Sequence, residues 1–148
     1  MNVQENLNPT GLVTVVHTNE AGEVLNKFTV KNLVVTTGKN HIAGRIGAVS
    51  APTAMSHMAI GTGTTAPNAT DALLGTEGGR VALSATVVST NTVTYTATFP
   101  AGTGTGAVTE AGVFNASSNG TMLCRTTFSA VNKASGDSIA ITWVVTVS

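Results

Sequence analysis

The chain has 148 residues, of which 42% are hydrophobic and only 9% are charged, and its seven basic and seven acidic residues cancel to zero net charge. Ample apolar content with little charge excludes intrinsic disorder, which needs the opposite balance. The basic residues are too scattered to form the stripe that a nucleic-acid-binding protein displays. A neutral domain also lacks the self-repulsion that keeps proteins monomeric, so we expect surfaces that other protein covers.

Residues 1–10 are polar and are predicted to form a flexible N-terminal arm, followed by a single domain that spans residues 11–148. The arm lacks the basic start and the apolar run of a secretion signal. No segment approaches the ~18 consecutive apolar residues of a membrane span. We therefore expect synthesis in a cytoplasm, no membrane contact, and an arm that becomes ordered by crossing onto a neighbouring subunit.

Short alternations of threonine and apolar residues, separated by glycine-rich turns, fill most of the domain. Alternation with a period of two predicts strands with one buried face. In chain order the predicted strands are residues 12–18, 23–30, 33–37, 57–61, 80–88, 92–99, 108–114, 121–128 and 137–147. The spacing of Ile42, Arg45 and Ile46 predicts one or two short helical turns between residues 41 and 46. Eight or nine antiparallel strands predict an all-β fold, namely a single β-sandwich with the topology of a jelly roll.

The predicted core comes from the apolar faces of these strands. They are clearest near the C-terminus, where the inward residues are Val93, Tyr95, Ala97, Phe99, Ile139, Ile141, Trp143, Val145 and Val147. The single cysteine, Cys124, excludes an intramolecular disulfide. We expect it to be a small core residue on the same strand face as Met122 and Phe128.

Two glycine-rich segments, residues 61–67 and 102–106, invite comparison with phosphate-binding loops. A phosphate loop leads into a helix and usually ends in Gly-Lys-Ser/Thr. Here Pro67 closes the first segment and no lysine follows, so both segments are predicted to be flexible connections.

The histidines, His17, His41 and His57, lie in separate segments without the spacing of a metal site. A folded triad of His57, Asp71 and a serine is conceivable, but no serine stands in a Gly-x-Ser-x-Gly elbow. The sequence therefore predicts no metal site and no nucleophilic catalysis.

Glu77 and Glu110 are the acidic residues nearest to strands, and a glycan hydrolase on a virion would use them as its paired carboxylates. Such an enzyme needs two carboxyl groups facing each other across a cleft lined with aromatics, and the chain has one tryptophan and one tyrosine. We expect instead that Glu77, Glu110, Arg80 and Arg125 form strand-end ion pairs or subunit contacts.

Five segments in a fixed order resemble small virion structural proteins of tailed bacteriophages. They are MAIGTGTTAP (58–67), LGTE (74–77), VTYTATF (93–99), TEAGVFN (109–115) and MLCRTTF (122–128). The resemblance covers the chain from residue 58 onward and extends weakly into residues 32–47. Proteins of this kind are described as capsid decoration ("cement") proteins, head fibres and tail fibres. The resemblance implies no catalytic residue, cofactor, metal or small-molecule substrate.

A compact chain without a coiled-coil shaft or fibrous repeats favours the decoration protein within that group. The resemblance then implies a virion protein on the capsid exterior, made and assembled in the bacterial host cytoplasm, whose partners are the major capsid protein and itself. We expect a homodimer or homotrimer, because exposed strand edges invite pairing. The alternative is a tail-fibre or baseplate module for host attachment, with loops 62–75 and 100–106 facing a receptor.

Overall fold

The computed structural model describes all 148 residues and contains ten β-strands and one α-helix. In chain order they are β1 (Pro9–Thr18), β2 (Val24–Lys31), β3 (Leu33–Val34), α1 (Thr36–Gly47), β4 (His57–Gly61), β5 (Glu77–Ala82), β6 (Ala85–Ser89), β7 (Thr92–Phe99), β8 (Gly106–Phe114), β9 (Met122–Lys133) and β10 (Ser138–Val147). The strands form two antiparallel sheets, sheet A in the order β2-β1-β10-β7-β6 and sheet B in the order β3-β9-β8-β4-β5. The predicted all-β sandwich is confirmed.

Four of the eight strand pairings are hairpins of consecutive strands, namely β1–β2, β4–β5, β6–β7 and β8–β9. Later strands are inserted between earlier ones, since β10 lies between β1 and β7, and the β8–β9 hairpin lies between β3 and β4. The ten strands and four hairpins distinguish this path from that of an eight-stranded jelly roll built of two Greek keys.

The core between the sheets is formed by the inward residues that alternation predicts. On β10, Ile139, Ile141 and Trp143 are buried, whereas Thr142 on the opposite face is exposed. On β7 the fully buried Phe99 adds a second large aromatic side chain, and Tyr95 of the same strand is also buried. Residues of both sheets belong to one cluster of 19 buried residues, so a single core holds the two layers together.

The predicted strand 80–88 is divided between the two sheets, which raises the strand count to ten. Its first half is β5 in sheet B and its second half is β6 in sheet A. The division falls where Leu83 N–H donates to Ser56 O and the next amide, that of Ser84, donates to Thr96 O. Two successive amides thus bind carbonyls on different sides of the sandwich, and the chain changes layer between them.

The helix α1 is longer than the predicted one or two turns, and it starts inside the predicted strand 33–37, of which only β3 remains. Gly38 permits this, because a Cβ at that position would collide with the backbone of Leu123 on β9. The helix ends at Ala48, whose positive φ of 53° gives a left-handed C-cap. The helix backbone thus packs closely on the backbone of β9. The spacing of residues along the sequence does not reveal this contact, so the helix is longer than the sequence predicts.

Cys124 is fully buried in the core, as predicted, and burial raises the pKa of its thiol well above the ordinary value. The expectation that it shares a strand face with Met122 is wrong. The register shifts next to it, since Val113 pairs with Cys124 but Phe114 pairs with Met122. This bulge turns Met122 toward a second, smaller cluster of buried residues.

The N-terminal arm is shorter than predicted. Strand β1 begins at Pro9, so Pro9 and Thr10 pair with β10, and the amide of Asn8 donates to Ser148 O at 2.7 Å. Residues 1–8 remain exposed. Any truncation meant to leave the sandwich intact must therefore stop before Asn8.

Trp143→Ala should lower the free energy of unfolding by about 3–5 kcal/mol, because it removes a fully buried aromatic side chain between the sheets. Chemical denaturation monitored by circular dichroism measures this change. Thr142→Ala, on the exposed face of the same strand, is the matched control and should change stability by less than about 0.5 kcal/mol. Equal effects of the two substitutions would contradict the assignment of the inward face.

Candidate functional site

A charged cluster is buried beneath the loop of residues 62–75. It is centred on Glu110 of β8 and Arg125 of β9, whose exposed fractions are 0% and 2%. Arg125 Nη2 donates to Glu110 Oε2 at 2.8 Å, and Nε donates to the same oxygen at 3.0 Å. The expected ion pair of Arg125 is therefore present, but in the middle of the sheet and not at a strand end.

The Glu110 carboxylate also accepts three hydrogen bonds from backbone amides of the loop and of the residue that directly precedes β5. The donors are the amides of Gly63 at 2.9 Å, Gly75 at 2.8 Å and Thr76 at 2.7 Å. Burial is the largest influence on this group and raises its pKa, but the hydrogen bonds from these amides and from Arg125 outweigh it. The pKa of Glu110 lies below its ordinary value of 4.5, so the carboxylate is ionised at neutral pH.

Glycine is required where the loop meets this carboxylate. A Cβ at Gly63 would collide with Glu110 Oε1, and a Cβ at Gly61 would collide with both Thr76 O and the same carboxylate oxygen. The glycine-rich segment 61–67 is thus a binding loop, but the anion that it binds belongs to the protein itself.

Arg125 connects the cluster to two further residues within the loop. Its Nη1 donates to Asp71 Oδ2 at 2.9 Å, and its Nη2 donates to Thr65 O at 2.9 Å. Since Glu110 and Arg125 together bind the loop at both ends and in the middle, residues 62–75 are held in one position and do not form the flexible connection that their composition predicts.

Glu77 forms the expected ion pair with Arg80, two hydrogen bonds of 2.8 and 2.7 Å. The same guanidinium lies 3.8 Å above the ring of Phe114 and donates to the carbonyls of Ala116 and Asn119. Arg80 therefore ties β5 to the β8–β9 turn. Neither Glu77 nor Glu110 is a free carboxylate, because each is bound to an arginine.

A second polar cluster holds the loop of residues 100–106. The buried Lys133 Nζ donates to Pro100 O at 2.9 Å and to Asp137 O at 2.7 Å. The Asp137 carboxylate lies 2.8 Å from His17 Nε2 and accepts the amide of Ala134. Burial lowers the pKa of Lys133, against the opposing effect of the Asp137 charge. Sequence alone did not single out this cluster, since its members are distant in the chain.

The three histidines lie apart, on β1, α1 and β4. His57 Nδ1 pairs with Ser56 Oγ at 2.8 Å, while Asp71, the third member of the triad considered above, binds Arg125. No group of three or more histidine, cysteine, aspartate or glutamate side chains is placed to hold a metal ion. The helix α1, at 12 residues, is too short to cross a membrane.

An open apolar groove of about 410 Å³ lies between α1 and the strands β6, β7 and β10 of sheet A. Ten of its thirteen lining residues are hydrophobic, and at its rim Ile46 and Val88 expose 74% and 71% of their surface. His41 and Arg45 add polar groups on the helix side. Sequence analysis missed this groove, although the adjacent Val87 and Val88 put apolar residues on both faces of one predicted strand.

The groove borders the outer edge of β6. This edge lacks the charges or the short length that the other three sheet edges have. Strand β2 carries Lys27 and Lys31, β5 carries Glu77 and Arg80, and β3 has only two residues. Charges and shortness are the features by which natural sheets block edge pairing. All five residues of β6 are exposed and none is charged, so this edge is open to another strand.

Comparisons of the chain with protein-family models, with curated proteins and with solved structures gave no match.

Glu110→Gln should lower the free energy of unfolding by about 3–5 kcal/mol, because it removes one of the two carboxylates that pair with the buried Arg125 and places an amide N–H₂ among N–H donors. Glu77→Gln is the matched control, since that carboxylate is about one-third exposed, and it should cost only about 0.2–1 kcal/mol. Chemical denaturation measures both changes. A smaller effect at Glu110 than at Glu77 would contradict the role of the cluster.

Acid should destabilise the protein through the lowered pKa of Glu110. The folded state holds its proton less tightly than the unfolded chain, so the stabilisation is complete above pH 4.5 and is lost as the pH falls through the folded pKa. Asp137 acts in the same sense below 3.8, because the hydrogen bond from His17 and the amide of Ala134 lower its pKa. Thermal unfolding between pH 6 and pH 3 checks this trend, which Glu110→Gln should make shallower.

Proposed function

We propose that the protein is a structural virion component of a tailed bacteriophage, a decoration protein that binds the outer surface of the capsid and stabilises contacts between major capsid subunits. In this proposal it acts without cofactor or substrate, its partners are the major capsid protein and itself, and it forms a homodimer or homotrimer. The family resemblance of residues 58–128 motivates the virion location.

The observation that carries the proposal is the contrast between a charged interior and a neutral, apolar exterior edge. Nine of the fourteen charged side chains make polar contacts within the chain, namely Glu23, Arg45, Asp71, Glu77, Arg80, Glu110, Arg125, Lys133 and Asp137. The open β6 edge and the apolar groove beside it remain available at the surface. Such a surface is suited to binding protein, by strand pairing and apolar contact.

Binding to an assembled shell stabilises it by mass action. A protein that binds only the assembled form contributes RT ln(1 + [L]/Kd) per site, which is about 2.7 kcal/mol at a hundredfold excess over Kd. Many copies on one capsid would resist the internal pressure of packaged DNA without any chemistry. Zero net charge fits a position outside the shell, because a protein in contact with the genome would carry a basic surface.

The arrangement of the carboxylates supports a structural role over the glycan hydrolase considered above. Glycoside hydrolysis requires one carboxyl group to donate a proton and the other to act as base or nucleophile. Glu110 is ionised, fully buried and bound by Arg125 and three amides, and Glu77 is paired with Arg80. Neither group is placed to serve a substrate.

The second candidate is a tail-fibre or baseplate module that contacts the host. The observation in its favour is that loops 62–75 and 100–106 are fixed by buried polar clusters. Rigid loops on a sandwich are well suited to recognition, because little conformational entropy is lost on binding.

Copy number separates the two candidates. We expect a molar ratio near one to the major capsid protein in purified virions, measured by quantitative mass spectrometry, because a decoration protein occupies sites across the whole shell. The major capsid protein and a known tail component serve as internal standards for high and low copy number. A ratio of a few per cent would contradict the decoration protein and favour the tail module.

A further inference from the structure

Two exposed features of the chain are complementary. One is the acceptor, which consists of the open β6 edge and the apolar groove beside it, into which Thr86 and Val88 of β6 point. The other is the arm of residues 1–8, which precedes the first strand and is exposed throughout.

The arm has the side-chain pattern of a strand. Met1, Val3 and Leu7 are the apolar residues and all occupy odd positions, whereas the even positions are Asn2, Gln4, Asn6 and Asn8. Met1 and Val3 expose 114% and 75% of their surface, so this apolar face is uncovered. Leu7 lies at the rim of the groove of its own chain, next to Ile42 and Val147. The pattern is that of a half-buried strand whose partner is missing.

We propose that residues 1–5 of one copy bind as an added strand along the β6 edge of a second copy, with Met1 and Val3 in the apolar groove and Glu5 beside Arg45. Backbone pairing along an open edge supplies affinity, and alternate side chains in the groove supply specificity. This proposal rests on the self-association proposed above, but not on the virion location.

Charges on the acceptor and the arm are complementary. Glu5 is the one acidic residue of the arm and lies on its apolar face, while Arg45 lines the groove. Neither takes part in an ion pair within the chain.

The length of the arm favours a second copy over the arm's own groove. From Leu7, beside β10, the arm must pass β7 and β6 to reach the free edge, which is three strand spacings or about 14 Å. That path takes about four extended residues at ~3.4 Å each, namely residues 3–6, so Val3 and Glu5 would cross the sheet and would not pair with β6. An arm that arrives from a neighbour keeps all of residues 1–5 for pairing.

Cross-linking of variants that each carry one added cysteine tests the contact. Val3→Cys is mixed with Val88→Cys at high protein concentration and treated with a short bis-maleimide; the native Cys124 is fully buried and does not react in the folded protein. We expect a covalent dimer of twice 14.9 kDa. Val24→Cys replaces Val88→Cys as the control, because Val24 is similarly exposed but lies on β2 at the opposite edge of sheet A. Equal dimer yields in the two mixtures, or no dimer in either, would overturn the proposal.

The double variant Val3→Cys/Val88→Cys distinguishes the two possible sources of the arm. On denaturing electrophoresis, a cross-link between the two introduced cysteines in a band of twice 14.9 kDa supports exchange, and a cross-link confined to the monomer band would overturn it.

Deletion of residues 1–7 and a charge exchange test the energetics by light scattering. The deletion should weaken self-association at least tenfold without lowering Tm, because the sandwich starts at Pro9. Glu5→Lys should weaken it roughly fivefold to tenfold, and Arg45→Glu in the same chain should restore it. An oligomer that survives the deletion would overturn the role of the arm while leaving the proposed self-association in place; a monomer for the full chain at every concentration would overturn both.

Discussion

The buried carboxylate of Glu110 is the constraint on which the polar part of the structure depends. A charge removed from water is tolerated only when it is paired and its oxygens are hydrogen-bonded. Arg125 supplies the opposite charge, and backbone amides of Gly63, Gly75 and Thr76 fill the remaining acceptor positions. Because a side chain at Gly63 would collide with the carboxylate, the glycine-rich composition of the loop follows from the charge that it covers. We infer that the cluster serves to fix the position of the loop more than to add net stability.

The alternation of apolar and polar residues predicted which face of a strand is buried. The alternation along β7 and β10 identified the buried faces of both strands, since a strand in a sandwich has one dry and one wet face. The change of sheet between Leu83 and Ser84 was not predictable, because it depends on carbonyls of Ser56 and Thr96 that lie elsewhere in the chain. The bulge that separates the faces of Met122 and Cys124 is likewise a property of the pairing with β8.

The candidate site was predictable only in its residue types. Sequence reasoning expected Glu77, Glu110, Arg80 and Arg125 to form strand-end ion pairs or subunit contacts, without assigning partners. It could not show that loop 62–75 covers Glu110 and Arg125. Asp71 and Arg125 are 54 positions apart, a distance over which no periodicity connects residues. The open edge of β6 could be identified only from the strand order of sheet A. A neutral strand invites pairing with another chain only when one of its sides has no neighbour in its own sheet.

The charged residues that bind the buried loops and the absence of charge on β6 are related. A chain with 9% charged residues cannot both satisfy buried clusters and protect every sheet edge with lysine or glutamate. The charged residues lie at the loops and on the edge strands β2 and β5, and β6 carries none. Contacts made there by backbone pairing and apolar burial are barely screened by salt, unlike contacts between surface charges. A partner that binds a neutral edge beside an apolar groove is therefore held by contacts that depend little on ionic strength.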